Sequence, residues 1–372
     1  MIVFGSASFF VFGVVLVLVG ANQADLARAL NLDLASTGLL GATLALGIGV
    51  GVAGSGPLVD RLPRRALFAA GALLAAGALL LVDASMSFPR ALAQMLLLGI
   101  GIGVHETVLN AAVSEIYAAR AARPLLVVHA AVTLGAMLAP LGVGWLAERA
   151  DWTASFRATG MAQLALAAAA LWVRFPAPRS SGGAAQVPLR SVMSAELLPF
   201  LIVGFAYVGV ESALILFAVP YAESLSLPAE TGRVAISALW LGLLAGRLGL
   251  LAVPREIDAR MLMAAGLLGG LVLGGGIGAR IQDVAIVYAG AGFSMGLVFP
   301  VMIALTAQRF PDALGTATGL VAGAAALGGF VVPWLHGALG DRSGVDVALL
   351  ALVPWCAAVA AAALAAWRSA AR

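Results

Sequence analysis

Gly99-Ile100-Gly101-Ile102-Gly103-Val104-His105-Glu106-Thr107-Val108-Leu109-Asn110-Ala111-Ala112-Val113-Ser114-Glu115 lies inside a long apolar segment, yet holds a histidine, a carboxylic acid and an amide within six residues. Helical spacing puts Gly99, Gly103, Glu106 and Asn110 on one stripe. The glycines let a second helix approach closely, and the carboxyl and amide then point into the space between helices. A carboxyl at bilayer depth costs roughly 2.5–3.5 kcal/mol on insertion scales, so a functional task for Glu106 is the default expectation.

The rest of the chain supports that depth. Of its 372 residues, 62% are hydrophobic and 10% charged, and the mean hydropathy is +1.05. Soluble domains average about 45–50% apolar and about 25% charged residues, so the chain is an integral membrane protein. All 21 basic residues are arginine, and the formal charge of +3 is small and scattered through loops, which excludes nucleic acid as a partner. One cysteine, Cys356, sits in the last apolar segment and gives no disulfide framework. Three histidines in separate segments give no metal-ligand spacing. The first segment lacks a positive n-region and a small-residue cleavage site, and reads as a retained span.

Apolar stretches of about 20 residues fall near 3–27, 37–58, 66–84, 91–116, 125–147, 157–174, 197–222, 233–253, 261–280, 284–307, 315–339 and 347–367. The even-numbered connections and the C-terminus hold Arg61, Arg64, Arg65, Arg120, Arg123, Arg174, Arg179, Arg190, Arg255, Arg260, Arg309, Arg368 and Arg372. The odd-numbered ones hold Arg28, Arg90, Arg149, Arg157, Arg233, Arg280 and Arg342. Thirteen against seven places both termini in the cytoplasm. The expected location is a bacterial inner membrane.

The connection from Arg174 to Glu196 is rich in Pro, Ser and Gly and reads as a linker between two halves. The halves repeat. Gly99 to Arg149 aligns without gaps on Gly292 to Arg342 at an offset of 193. Gly99 falls on Gly292, Gly103 on Gly296, Leu134-Gly135 on Leu327-Gly328, Pro140 on Pro333, and Glu148-Arg149 on Asp341-Arg342. Upstream, at an offset of 195, Gly47, Gly51 and Gly71 fall on Gly242, Gly246 and Gly266. The expectation is an all-α membrane protein of twelve transmembrane helices in two pseudo-symmetric bundles: residues 1–175, a cytoplasmic linker 176–196, and residues 197–372.

Two sets of motifs carry a family resemblance. Gly56-Pro57-Leu58-Val59-Asp60-Arg61-Leu62-Pro63-Arg64-Arg65 resembles the cytoplasmic signature loop of the major facilitator superfamily, with Pro63 where that family usually has Gly. The resemblance implies a cytoplasmic gate latched by Asp60 and Arg61. Arg64 and Arg65 belong to the same loop, although a purely topological positive cluster would also supply them. Within that family, Glu106-Thr107-x-x-Asn110 resembles the fucose:proton symporter branch. So do Tyr207-Val208-Gly209-Val210-Glu211 with Tyr221, Trp240, Gly246-Arg247, and Phe299-Pro300. That branch has an acidic residue in its first helix where this chain has Gly20, and Asp25 lies more than a turn further on.

The branch resemblance implies that Glu106 carries a proton, since burial disfavours its charged form and water reaching it from either side would let it exchange. The blander reading is a permanently protonated Glu bonded between helices. Its counterpart in the second half is Phe299, so symmetry alone does not call for the carboxyl. Asn110 would offer an amide to a polar substrate or pack between helices. His129 aligns with a substrate-contacting residue of the branch, and would bind substrate or bridge helices. Glu211 and Arg247 are expected to pair, either as a proton-linked gate or as a static bridge. Tyr207, Trp240 and Phe299, with Phe205 and Tyr221, would stack on a sugar ring or simply pack. Asn22, Gln23 and Asp25 would line an outward vestibule or end the first helix.

No catalytic constellation, nucleotide-binding loop or cofactor site is visible, so an enzyme is not expected. The reading is a monomeric secondary transporter that takes up a small polar, sugar-like solute with protons by alternating access. A proton-driven efflux permease for amphiphilic compounds or metabolites is the alternative within the same fold. A non-transporting scaffold or sensor is the alternative outside it.

Overall fold

The structure, a computed structural model, describes residues 1–117, 122–177, 193–252 and 258–370. Most of the expected linker therefore lies outside the described residues, as do Arg120, Arg179, Arg190, Arg255, Arg372 and the side chain of Arg123.

Helix follows helix along the chain. The first half contributes α1 (Ile2–Ala21), α2 (Gln23–Leu30), α3 (Leu34–Val59), α4 (Arg64–Leu80), α5 (Phe88–Tyr117), α6 (Ala122–Arg149) and α7 (Thr153–Ala169). The second contributes α8 (Leu198–Ser224), α9 (Ala229–Ala252), α10 (Ala259–Gly278), α11 (Val284–Met295), α12 (Val298–Arg309), α13 (Leu314–Ser343), α14 (Val345–Leu350) and α15 (Val353–Ala370). Among the described residues there is no strand, as hydrocarbon requires of a chain that does not close into a barrel. Nine helical segments among the described residues are long and apolar enough to cross a membrane. The helices α4 and α7, at 17 residues each, fall short of that length.

The chain divides into two compact units, residues 1–32 with 39–182, and residues 33–38 with 183–372. In the first, α1 packs on α6, and α4 on α5 and α7. In the second, α8 packs on α13, α9 on α11, and α10 on α15. Most of the closest backbone approaches fall on repeated glycines; Gly13, where a Cβ would sit 2.0 Å from the Val132 carbonyl oxygen, is an exception. A Cβ on Gly135 would sit 2.0 Å from the Phe10 carbonyl oxygen, and one on Gly328 would sit 1.9 Å from that of Phe205. Likewise Gly99 meets Leu44 O at 2.3 Å where Gly292 meets Leu239 O at 2.1 Å, and Gly103 meets Ile48 O where Gly296 meets Leu243 O, both at 2.4 Å. In hydrocarbon, where water does not drive helices together, this closeness is what binds them. One pair diverges: Gly71 faces the Gly101 carbonyl, and Gly266 faces that of Cys356.

Helix ends are closed by aspartates. The first four N–H groups of a helix have no partner inside it. In α3, Leu34 and Ala35 N–H donate to the two Asp341 carboxylate oxygens at 2.8 Å each. Ser36 N–H donates to Asp33 Oδ1 at 2.8 Å and Thr37 N–H to the Asp33 carbonyl at 3.0 Å, so all four are satisfied. The Ser36 side-chain and backbone bonds hold the Asp33 carboxyl below its ordinary value. Asp258 and Asp283 accept from the first turns of α10 and α11 in the same way.

The expectation of an outer vestibule at Asn22 and Gln23 is corrected. Asn22 is fully buried between α1 and α2, and its amide donates to the Leu18 carbonyl at 2.8 Å and to Ser155 Oγ at 3.1 Å. Gln23 is buried as well, and Asp25 pairs with Arg28 at 2.6 Å.

Candidate functional site

The candidate polar residues that the sequence marks in spans 4, 5, 7 and 8 fall in two groups, one per unit. In the first unit, α5 carries Glu106 and Asn110 one turn apart, both half-buried. His129 of α6 reaches Asn110, with Nε2 3.0 Å from Oδ1. Since Oδ1 only accepts, His129 donates from Nε2. That leaves the Asn110 amide N–H groups as donors toward any third group. The imidazole also stacks on Phe9 of α1, with ring centroids 4.7 Å apart. Two residues that the sequence left as separate candidates are thus joined by one hydrogen bond. His105, by contrast, is turned away: it is buried edge-on against Phe68 of α4 at 4.5 Å, so it belongs to packing between α4 and α5.

In the second unit, the Tyr207 hydroxyl donates to Glu211 Oε2 one turn along α8. The Arg247 guanidinium on α9 acts electrostatically on both groups. Its Nε also donates to the Gly296 carbonyl at 3.2 Å. That bond follows from the sequence. Pro300 has no N–H to give to the carbonyl four residues back, so Gly296 O loses its helical donor and the helix breaks between α11 and α12. Arg247 replaces the missing donor. In the first half Thr107 stands where Pro300 stands in the second, and its hydroxyl donates to the Gly103 carbonyl at 2.9 Å. Gly103 and Gly296 are repeat partners, so both copies hold this carbonyl with a side chain.

Of the aromatic candidates, Phe299 keeps the most open ring face. Tyr207 is 2% and Trp240 4% exposed, as the packing alternative for these rings has them. Tyr207 presents its hydroxyl to Glu211. Tyr221 is buried and Phe205 packs on Trp355 at 5.5 Å. Phe299 is 38% exposed and lies 6.4 Å from the Tyr207 ring. Among the described residues no cluster of His, Cys, Asp and Glu could hold a metal.

A sequence profile described as Major Facilitator Superfamily matches residues 3–279. The chain belongs to the major facilitator superfamily. Among curated proteins none matches the sequence. This major facilitator resembles in fold a bacterial homolog to the human lysosomal transporter Spinster, at 13% identity and TM-score 0.77, covering 99% of this chain and 96% of that one. It resembles a variant of the nucleoside transporter NupG at 13% identity and TM-score 0.80, covering 98% of each chain. It also resembles a D-xylose-proton symporter at 16% identity and TM-score 0.76, covering 99% of this chain and 96% of that one. It is a multi-pass membrane protein and a secondary transporter, not an enzyme.

The signature loop of this major facilitator differs from the sequence reading in its emphasis. Asp60 and Arg61 are exposed. Arg64, which a topological cluster would leave in water, is 3% exposed and pairs with Glu115 at the end of α5 at 2.5 Å, while its Nε donates to the Val59 carbonyl at 3.3 Å. Arg65 donates to the Val173 carbonyl at 3.0 Å. Glu115 and Asp341 were not singled out from the sequence. Glu115 read only as an acid at the polar end of a span, and Asp341 only as the repeat partner of Glu148.

Proposed function

We propose that this transporter takes up a small polar, sugar-like solute together with protons. Glu106 carries the proton, and Asn110 with His129 presents donors to the substrate. The observation that supports it is the Asn110–His129 hydrogen bond one helical turn from the Glu106 carboxyl. Protonated, Glu106 is neutral and tolerated at depth; ionised, it needs water or a cationic partner. Loading a proton therefore favours the state in which the site is closed to water, and releasing it favours the open one. Glu211, Tyr207 and Arg247 form a second charge network that senses or gates, and Phe299 offers a ring face. Asp60, Arg61, Arg64 and Arg65 form the cytoplasmic gate. The chain works as a monomer with both termini in the cytoplasm, in two bundles, 1–175 and 197–372, joined by residues 176–196. The similarity in fold to a D-xylose-proton symporter and a nucleoside transporter agrees with a polar solute.

Solid-supported-membrane electrophysiology on proteoliposomes, run against sugars, polyols and organic acids, tests the reading. A proton current evoked by one polar solute should be lost in Glu106→Gln, while Asn110→Ala and His129→Ala raise the half-saturating concentration about tenfold, as loss of a hydrogen bond to substrate would. Silence to every polar solute alongside proton-driven dye efflux would replace uptake with export.

A further inference from the structure

We propose that His336 is a proton-operated clasp within the second unit: neutral, it ties α13 to both pieces of the last span, and on taking up a proton it lets one of them go. The clasp begins with a break in that span. Pro354 has no N–H to give to the carbonyl four residues back, and the helix divides there into α14 and α15. Leu352 N–H, which an unbroken helix would give to the Ala348 carbonyl, donates to that of Leu349 at 3.0 Å. Ala348 is buried, so its carbonyl needs a donor from elsewhere. His336 of α13 supplies it, with Nδ1 2.7 Å from the Ala348 oxygen.

The other ring nitrogen fixes the protonation state. Trp355, in the first turn of α15, has its indole Nε1 3.0 Å from His336 Nε2. A carbonyl oxygen only accepts and an indole N–H only donates. His336 therefore carries its hydrogen on Nδ1 and offers the lone pair of Nε2, which is the neutral ring in one tautomer. An imidazolium has N–H groups on both nitrogens, so a second proton enters where the indole N–H now points. The Ala348 bond survives that step and the Trp355 bond does not.

The ring is buried, and neighbouring charges are engaged elsewhere. On α8, Tyr207 is bonded to Glu211, and Tyr221 lies in the field of the Arg280–Asp346 pair that joins the end of α10 to α14. Asp341, on α13 itself, caps Leu34 and Ala35. Glu223 and Arg342 are exposed at helix ends, and Cys356 on α15 is buried. The repeat partner of His336 is Val143, buried and apolar, so the packing of the fold does not by itself call for a titratable group at this place. Trp355 also packs on Phe205 of α8, with ring centroids 5.5 Å apart, so its release is felt on a third helix. His336 stands just before the stretch of α13 that ends in Asp341. Residues 33–38 of the same unit rest on that stretch, where a Cβ on Gly337 would sit 2.5 Å from the Leu34 carbonyl oxygen. Dropping Trp355 therefore loosens the support of the first turn of α3. The clasp does not depend on what the protein transports.

Nitrogen-15 NMR of the full chain in nanodiscs, with labelled histidine, tests this. One of the three histidines, identified by through-space contact with an indole N–H, should show the Nδ1–H tautomer at about pH 8. On acidification to about pH 5 it should take up its second proton in step with movement of that indole resonance. Thermal unfolding has a defined sign. The neutral ring holds two bonds in the folded state and the charged ring one, so its contribution is present at about pH 8 and is lost as the pH falls through the ordinary histidine value of about 6.5. His336→Gln, whose amide donates and accepts but takes no proton, should lose about 2–4 °C less on acidification than the unmutated chain, the shift one hydrogen bond supplies. Trp355→Phe, which makes the release permanent, should speed amide hydrogen exchange at Leu34 and Ala35 about three- to tenfold at fixed pH. An Nε2–H tautomer would overturn the proposal. So would an equal loss of stability on acidification in the unmutated chain and His336→Gln, or unchanged exchange at Leu34 and Ala35. The tautomer is read on the unmutated chain, so a variant that fails to fold cannot leave the question open.

Discussion

Arg64 shows how one side chain can be misjudged from its place in a loop. Removing a partner from a buried ion pair costs about 3–5 kcal/mol, because the remaining charge is left uncompensated. Glu115 is one-fifth exposed, which lowers the expected loss toward 3 kcal/mol or less. Arg64→Ala should therefore lower the midpoint of thermal unfolding in detergent markedly, and Arg65→Ala, whose side chain is exposed, should barely move it. Exchanging the pair, Arg64→Glu with Glu115→Arg, should recover a good part of the loss. If Arg64→Ala unfolds like the unmutated chain, the buried pair contributes nothing and the loop acts through Asp60 and Arg61 alone. The sequence carried the arginine and the acid but not their meeting, since they are 51 positions apart and joined only by the fold.

The broken helix α11–α12 is legible at a different level. Phe299-Pro300 was visible as a motif, and a proline in a span predicts a lost hydrogen bond. What sequence could not supply is the replacement donor, because any polar side chain on a neighbouring helix would serve. The structure gives that task to Arg247, which the sequence paired with Glu211 alone. Pro300→Ala should return an N–H to the Gly296 carbonyl and join α11 to α12. Hydrogen exchange at residues 298–302 should then slow by about tenfold or more, given the roughly 3 kcal/mol a proline costs within a helix. Unchanged exchange there would mean that the break is set by Gly296 and Leu297 rather than by the ring. Freed from the carbonyl, Arg247 would also answer more strongly to Glu211.

At the scale of the molecule, hydropathy, arginine bias and the internal repeat were enough to read a helical membrane protein with two related halves. Boundaries were read to within a few residues in most spans; the break at Asn22 was legible only as one of two readings of its polar run, and the one at Gly296 only through Pro300 four residues on. The polar clusters were legible as residue types at depth, and their pairings were not. Orientation is open to a direct check. Alkaline phosphatase fused after Arg90 or Arg280 should be active, and a fluorescent protein fused at the C-terminus should fold and fluoresce; the opposite pattern would invert the assigned topology. The glycine seams carry a practical consequence. Because most of the tightest approaches of one copy recur in the other at a shift of 193 or 195 residues, a tolerance scan of the first half doubles as a forecast for the second. Gly135 and Gly328 should reject alanine alike, and Gly71 and Gly266 mark where that forecast has to be drawn afresh.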